Sequence, residues 1–303
     1  VNLLPASGLL LEQSHSFGLG FELQAVTAVT VLEKIFSSPE LMNFVFGTYK
    51  TNIKVLIGSY GETGSAMYMA FKQGKLANYE LSMTGLFNQE GGIYSETGVS
   101  RVVFEQLRRS AVAGKIFNFR KMRNLPGMAV ASREGILKKP ADVFINATNY
   151  DFLNARKLQV LADAGVKLII DFSVTPITDD MIDVFRQNGM IFIPSTLTRG
   201  IYNLIAHEEI VHGYYGVPED ENVSKSLIYH VMDEINGRLA VALDDVFRRL
   251  LESSFEMSIS RSIYDRVSRI LNNKSVISRN LEAAGFSELA EFLISIKSEV
   301  ELK

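Results

Sequence analysis

The chain has 303 residues, 47% of them apolar and 21% charged, with 31 Lys and Arg against 34 Asp and Glu. This is globular composition, long enough for one large or two modest domains; with no Cys it holds no disulfide, thiolate metal site or Cys nucleophile, which fits a reducing, cytoplasmic setting. The net charge of -3 and the lack of a basic block exclude an electrostatic footprint for nucleic acid or for polybasic membrane attachment.

The start, Val1-Asn2-Leu3-Leu4-Pro5, has no basic n-region, so no signal peptide is expected. Val1 is not an initiating Met, and the expectation is a processed product or a piece of a longer protein. Residues 1–19 read as irregular, with Pro5, Gly8 and Gly18. From Gly20 the pattern turns helical: Phe21, Val26, Val29, Leu32, Ile35 and Phe36 recur every three to five residues and stop at Ser37-Ser38-Pro39. Residues 40–52 read as a second short element and a polar turn.

Ile53-Lys54-Val55-Leu56-Ile57 is a β-rich run followed at once by Gly58-Ser59-Tyr60-Gly61-Glu62-Thr63-Gly64 and then by a buried helix through Ala66 and Phe71. Tyr79 to Met83 with Leu86-Phe87 reads as the next strand, and Gly91-Gly92-Ile93-Tyr94 as a turn. Residues 100–113 read as helix, and 115–140 as a mixed, basic stretch of solvated charge. Val143 to Ala147 is a short apolar strand. A helix over 154–164 ends at Gly165, Val166 to Phe172 is a strand, a helix is capped at Thr178-Asp179-Asp180, and Met190 to Pro194 is a strand. Near-continuous apolar strands separated by helices predict an α/β fold, a doubly wound, mostly parallel Rossmann-like sheet covered on both faces.

After about residue 219 the β signal stops. Leu227, Val231, Ile235, Leu239, Leu243, Val246 and Leu250 hold one helical stripe, and two more follow. The reading is a dinucleotide-binding-type domain over 1–218 and a helical C-terminal extension over 219–303, packing on the sheet or on a neighbouring subunit. No apolar run reaches the roughly 18 residues of a membrane helix.

The Gly-rich turn carries the main chemical signal. A strand–turn–helix unit binds a pyrophosphate because the helix N-terminus offers free N–H groups and partial positive charge. Glycines let the backbone turn sharply and approach the phosphates. Here the spacing is Gly58, Gly61, Gly64, so with Gly61 and Gly64 as second and third glycines, Ser59 takes the first place. Thr63 lies within the turn, and Glu62 suits the helix dipole but repels a phosphate beside it. A structural turn stays open as the alternative. About twenty residues on, where an acid accepts from the adenosine ribose, the strand leads to Asn88, which bonds a hydroxyl more weakly.

The order of segments resembles the cofactor-binding domain of the glutamate/leucine/phenylalanine/valine dehydrogenases. Ser16-Phe17-Gly18-Leu19-Gly20 is similar to its T-G-x-G, Gly61-Glu62-Thr63-Gly64-Ser65 to its G-N-V-G-S, and Gly91-Gly92-Ile93-Tyr94 with Gly98 to its G-G-I-Y-x-x-x-G. Ala141 to Ala147 is similar to its C-D-V-L-I-P-A, Lys167 to Thr178 to its K-I-V-V-E-G-A-N-x-P-T-T, and Gly189 to Pro194 to the strand after it. The resemblance covers roughly residues 10–270. It implies NAD or NADP as cofactor and, for the family, oxidative deamination of an L-amino acid. It also implies that the catalytic Lys and Asp belong to a substrate domain not found in these residues, so no catalytic residue is expected here.

Several positions depart from the family's pattern. Phe17 stands where a Thr is expected, Ser59 where the first glycine is, and Asn88 where the ribose acid is. Val174 replaces the Asn of G-A-N, and Arg199 falls where another Asn lies near the carboxamide. Ala147 and Thr148 keep wall positions. Each lost ligand hydrogen bond costs on the order of 0.5–1.5 kcal/mol, so the cofactor's binding is expected to be weak or lost. A dehydrogenase-like NAD(P)-binding domain and a non-catalytic regulatory or assembly module therefore both stay open; a third reading is a reductase taking its base from a partner subunit. A homo-oligomer or a partner subunit is expected on either of the first two.

Other constellations point elsewhere. His207 and His212 flank Glu208-Glu209 without the H-E-x-x-H spacing of a zinc site, so no metal is expected. Asp244-Asp245 reads as a solvated face and Tyr214-Tyr215 as a packed loop. Neither G-x-S-x-G nor G-x-x-x-x-G-K-[ST] occurs.

Overall fold

The computed structural model describes residues 19–58, 67, 68, 70, 71, 76, 79–110, 118, 119, 125–148, 152–173 and 178–198, and the helical residues 237, 240, 241, 243, 244, 247 and 248. Among the described residues two helices come first, α1 (Leu19–Phe36) and α2 (Pro39–Phe46). The latter starts where Ser38 accepts from the Leu41 N–H and Pro39 takes the first helical position, where its missing donor costs nothing.

Among the described residues seven strands follow: β1 (Asn52–Gly58), β2 (Glu80–Asn88), β3 (Gly91–Tyr94), β4 (Ala129–Ala131), β5 (Val143–Asn146), β6 (Leu168–Asp171) and β7 (Ile191–Ile193). Between them lie α3 (Arg101–Ser110), α4 (Arg133–Leu137), α5 (Ala155–Asp163) and α6 (Asp179–Asn188), and α7 (Ser195–Thr198) follows β7. They form one sheet in the order β4-β3-β2-β1-β5-β6-β7. β2, β1, β5, β6 and β7 run parallel, while β3 and β4 pair antiparallel at one edge.

Both faces of the sheet are covered, which is why its strands are apolar throughout. On one face Val55, Ile57, Ile145, Leu168 and Ile170 pack with α1 and α2, with Met67, Tyr68 and Phe71, and with Val103, Phe104 and Leu107 of α3. Leu243 and Phe247 are buried in that same cluster. On the other face Leu56, Phe87, Phe144, Ile169 and Phe192 pack with residues of α4, α5 and α6. At the sheet's N-terminal end the buried Asp142 accepts from Lys50 Nζ at 2.5 Å and from the Lys54 N–H at 2.9 Å, joining the starts of β5 and β1.

Two readings of the sequence need correction. Gly91-Gly92-Ile93-Tyr94 is a strand, not a turn; the turn is Gln89-Glu90. The two glycines serve close strand approach. A Cβ on Gly91 would sit 2.9 Å from the Ala131 carbonyl oxygen at a φ of +136°, and one on Gly92 would sit 2.5 Å from that of Leu86. Thr178 does hold the N-cap position of α6, but its side chain makes no cap bond, and Asp179 and Asp180 in the first turn complement the dipole. Among the described residues no helix is long and apolar enough to cross a membrane.

Candidate functional site

The chain reverses its winding between β1 and β5: β2 lies to one side of β1, and β5, β6 and β7 to the other. In open α/β sheets ligands bind outside the carboxyl ends of the strands at such a switch point. Those ends are Gly58 on β1, Asn88 on β2, Asn146 on β5 and Asp171 on β6. The Ala147 N–H donates to the Gly58 carbonyl, so the exit of β5 stays fastened to the last residue of β1.

A buried polar network occupies the β5–β6 side. Asn146 and Asp171 are register partners, and the Asn146 amide donates to Asp171 Oδ1 at 2.6 Å. The Thr148 hydroxyl donates to Asn146 Oδ1 at 2.9 Å. Ser173 gives Asp171 Oδ1 its backbone N–H at 3.3 Å and its hydroxyl at 2.8 Å. The Thr198 hydroxyl donates to the Asp171 carbonyl, tying α7 to the end of β6. All five residues are at most 2% exposed. A buried carboxylate needs such donors, since leaving it without them costs several kcal/mol.

The β2 side is apolar. A Cβ on Gly58 would lie 2.2 Å from Phe87 Cζ, its register partner on β2. The Phe87 ring therefore occupies the space a side chain at β1's end would need. Its centroid is 6.1 Å from that of Phe144 and 5.5 Å from that of Phe152. Beside this cluster, Lys157 Nζ sits 4.2 Å from the Phe152 ring centroid and donates to the Phe152 carbonyl at 2.5 Å. The Arg133 guanidinium lies 5.4 Å from the same ring and pairs with Glu134 at 2.9 Å. Glu134's own backbone N–H, then Arg133, hold that carboxyl below the usual range. Asn88, 4% exposed, accepts from the Glu90 N–H at 2.9 Å and closes the turn into β3.

Three of the residues singled out in the sequence are therefore placed. Ala147 and Thr148 stand at β5's end beside Gly58, and Asn88 stands across β1 at the end of β2. Ser59, Gly61, Glu62, Thr63, Gly64, Val174 and Arg199 lie outside the described residues, as do Phe17, the four His, Asp245 and Tyr214-Tyr215. Asp244 is exposed and ion-paired with Lys34 at 2.7 Å. Among the described residues no cluster of three or more His, Asp or Glu forms a metal site. Nothing in the sequence pattern marks Asn146, Asp171, Ser173 and Thr198 as a group. Their one signal is a polar residue ending an otherwise apolar strand, as in Val143-Phe144-Ile145-Asn146. Ala147 and Thr148, 8% and 1% exposed, stand at the switch point. The glycine at β1's end is accounted for by an aromatic ring, without a phosphate.

Comparison with known proteins agrees with this frame. The family model for glutamate/leucine/phenylalanine/valine dehydrogenase matches residues 37–200, and the chain belongs to that family. Among solved structures, it is similar to the Leu-bound hetero-hexameric glutamate dehydrogenase of Thermus thermophilus, with a TM-score of 0.56, 15% identity, and 83% of this chain and 52% of that chain covered. It is likewise similar to Plasmodium falciparum glutamate dehydrogenase 2, with a TM-score of 0.59, 10% identity, and 83% and 51% covered. A further Plasmodium falciparum glutamate dehydrogenase gives 0.56, 14%, 93% and 52%. The chain spans about half the length of these structures, and at such identities the likeness shows the fold.

Proposed function

We propose that this chain is an NAD(P)-binding-type domain of an amino-acid dehydrogenase, taking a dinucleotide weakly in the crevice between the ends of β1 and β5. The observation that carries this reading is the switch point itself, with Gly58 and the Ala147-Thr148 wall side by side in a chain of this family. In this reading the pyrophosphate meets the turn of Ser59, Gly61, Glu62, Thr63 and Gly64. The adenosine ribose lies toward Asn88, and the nicotinamide toward Thr148, Val174 and Arg199. Oxidation of an L-amino acid, assembly into an oligomer and a cytoplasmic location belong to the same proposal; the similar Thermus protein is itself described as hetero-hexameric. The test is calorimetric titration with NAD and NADP, alone and after Gly61→Val. Saturable heat that the substitution abolishes is the expected result. No heat at millimolar cofactor sinks the reading.

A second reading, a non-catalytic regulatory or assembly module, is favoured by one observation. The polar groups at the ends of β5 and β6 bond to one another. Cofactor binding without turnover on any L-amino acid supports this module over the enzyme.

A further inference from the structure

We infer that Asn188 is a deamidation site, shielded while the last turn of α6 is closed, and that its conversion to a carboxylate loosens α6 from α5. Asn188 is the final residue of α6, and Gly189 follows it as a left-handed cap at a φ of 58°. In an Asn-Gly pair no Cβ hinders the approach of the glycine nitrogen to the asparagine side chain. That nitrogen gives up its proton and bonds to Asn188 Cγ, and Nδ2 leaves as ammonia. The resulting succinimide takes up water and opens as aspartate or isoaspartate. Water reaches both residues, for Gly189 is exposed and Asn188 half-buried.

In the closed turn both reacting groups are tied. Asn188 Nδ2 donates to the Val184 carbonyl at 2.9 Å and to Gln159 Oε1 of α5 at 3.3 Å. The Gly189 N–H donates to the Arg186 carbonyl at 3.4 Å. Attack therefore waits on opening of this turn, and helix ends open at small free-energy cost. The product cannot restore the same bonds, because a carboxylate has no proton for the Val184 carbonyl or for Gln159 Oε1. Gln159 cannot turn its amide round without facing Oε1 to Asp163, whose Oδ1 accepts from Nε2 at 2.8 Å. The new charge also stands at the negative end of the helix dipole. Lys167, whose Nζ donates to the Asn188 carbonyl at 3.0 Å, is a cation beside it, and pairing with the new carboxylate draws it off that carbonyl. Converting one amide thus removes the hydrogen bond from α6 to α5.

The experiment ages the full chain at neutral pH, folded and unfolded in urea, for the parent and Gln159→Ala. Peptide mass spectrometry with isoaspartyl methyltransferase labelling reads the state of residue 188. The expected result is aspartate and isoaspartate there in the folded parent, formed about tenfold or more slowly than in the unfolded chain, as a turn that must open first requires. Gln159→Ala frees the amide and narrows that margin. Asn188→Asp, made directly, is expected to unfold at lower urea than the parent. No product at Asn188 in either folded protein overturns the site, whether or not Asn236-Gly237, the chain's other Asn-Gly pair, has reacted. Equal rates in the folded and unfolded parent overturn the shield. A margin that Gln159→Ala leaves unchanged overturns the tie to α5, and an Asn188→Asp chain as stable as the parent overturns the loosening.

Discussion

Asn146 and Asp171 end neighbouring parallel strands in register, and the Asn146 amide donates to the Asp171 carboxylate at 2.6 Å while its own oxygen accepts from Thr148. One amide thus serves two buried partners. Replacing it with Ala removes a donor from a carboxylate that is fully buried. Asn146→Ala is expected to lower stability by about 1–3 kcal/mol, read as a reduced urea midpoint at unchanged slope. A loss below about 0.5 kcal/mol would show that the network is not what holds the ends of β5 and β6.

Gly58→Ala tests the aromatic packing at the end of β1. The new methyl meets the Phe87 ring at 2.2 Å, and that ring is wholly buried against Phe144 and Phe152. Overpacking of this kind costs about 1–3 kcal/mol. In a Phe87→Leu background the same change is expected to cost less, with a coupling of at least about 0.5 kcal/mol in the double-mutant cycle. Additive losses would mean that the ring and the glycine do not constrain each other.

Asp142 is the third position to probe. It joins Lys50 and the Lys54 N–H across the starts of β5 and β1, with its side chain 12% exposed. Asp142→Ala is expected to cost about 1–3 kcal/mol, because the partly buried Lys54 N–H loses its acceptor. Lys50→Met is expected to cost no more than about 1 kcal/mol, since the lysine side chain is 36% exposed and water takes the ammonium's place beside the carboxylate. Chemical unfolding of the two variants side by side checks the ranking.

Tyr68 and Tyr94 carry a pH prediction. Burial pushes both phenols above their ordinary range; beside Tyr68, Arg101 opposes the rise and Glu105 adds to it, and Glu96 adds to that of Tyr94. The folded chain therefore keeps these protons when the unfolded chain has released them. Stability is fully present below about pH 10, the unfolded phenol's value, and falls as pH rises from there through the folded values. Among the described residues neither buried hydroxyl has a hydrogen-bond partner, so Tyr68→Phe with Tyr94→Phe is expected to leave neutral-pH stability within about 1 kcal/mol or improve it. The stacking of the Tyr68 ring on Phe104 at 3.8 Å is kept. The alkaline loss should shrink in the double variant. Urea melts at neutral and alkaline pH decide it; an unchanged alkaline slope counts against the assignment.

Much of this architecture is legible in the sequence because burial on both faces leaves only one strand pattern. Val143 to Asn146 and Leu168 to Asp171 are apolar until their last residue, so the parallel strands can be read directly. Gly91 and Gly92 mislead because paired glycines signal a turn; what they do is admit the Ala131 and Leu86 carbonyls, a fact of strand pairing that no local pattern contains. The candidate site is harder to read for the same reason. Asn146 meets Asp171 across 25 residues of sequence, and Gly58 meets Phe87 only through the register of β1 on β2. Asn88, by contrast, sits two residues from its partner Glu90, and that Asx turn was within reach of sequence reasoning.

Leu243 and Phe247 lie in the same core cluster as Ala28, Val31 and Ile35 of α1, and Asp244 is paired with Lys34 across 210 residues. During synthesis, then, α1 emerges long before the side chains that finish its apolar bed. Loop closure over such a span is slow, and until it happens α1 presents its inward stripe to whatever is near, a ribosome-bound chaperone or another nascent chain. Packing around α1 is therefore finished only after Leu243 and Phe247 have been made, later than every strand of the sheet.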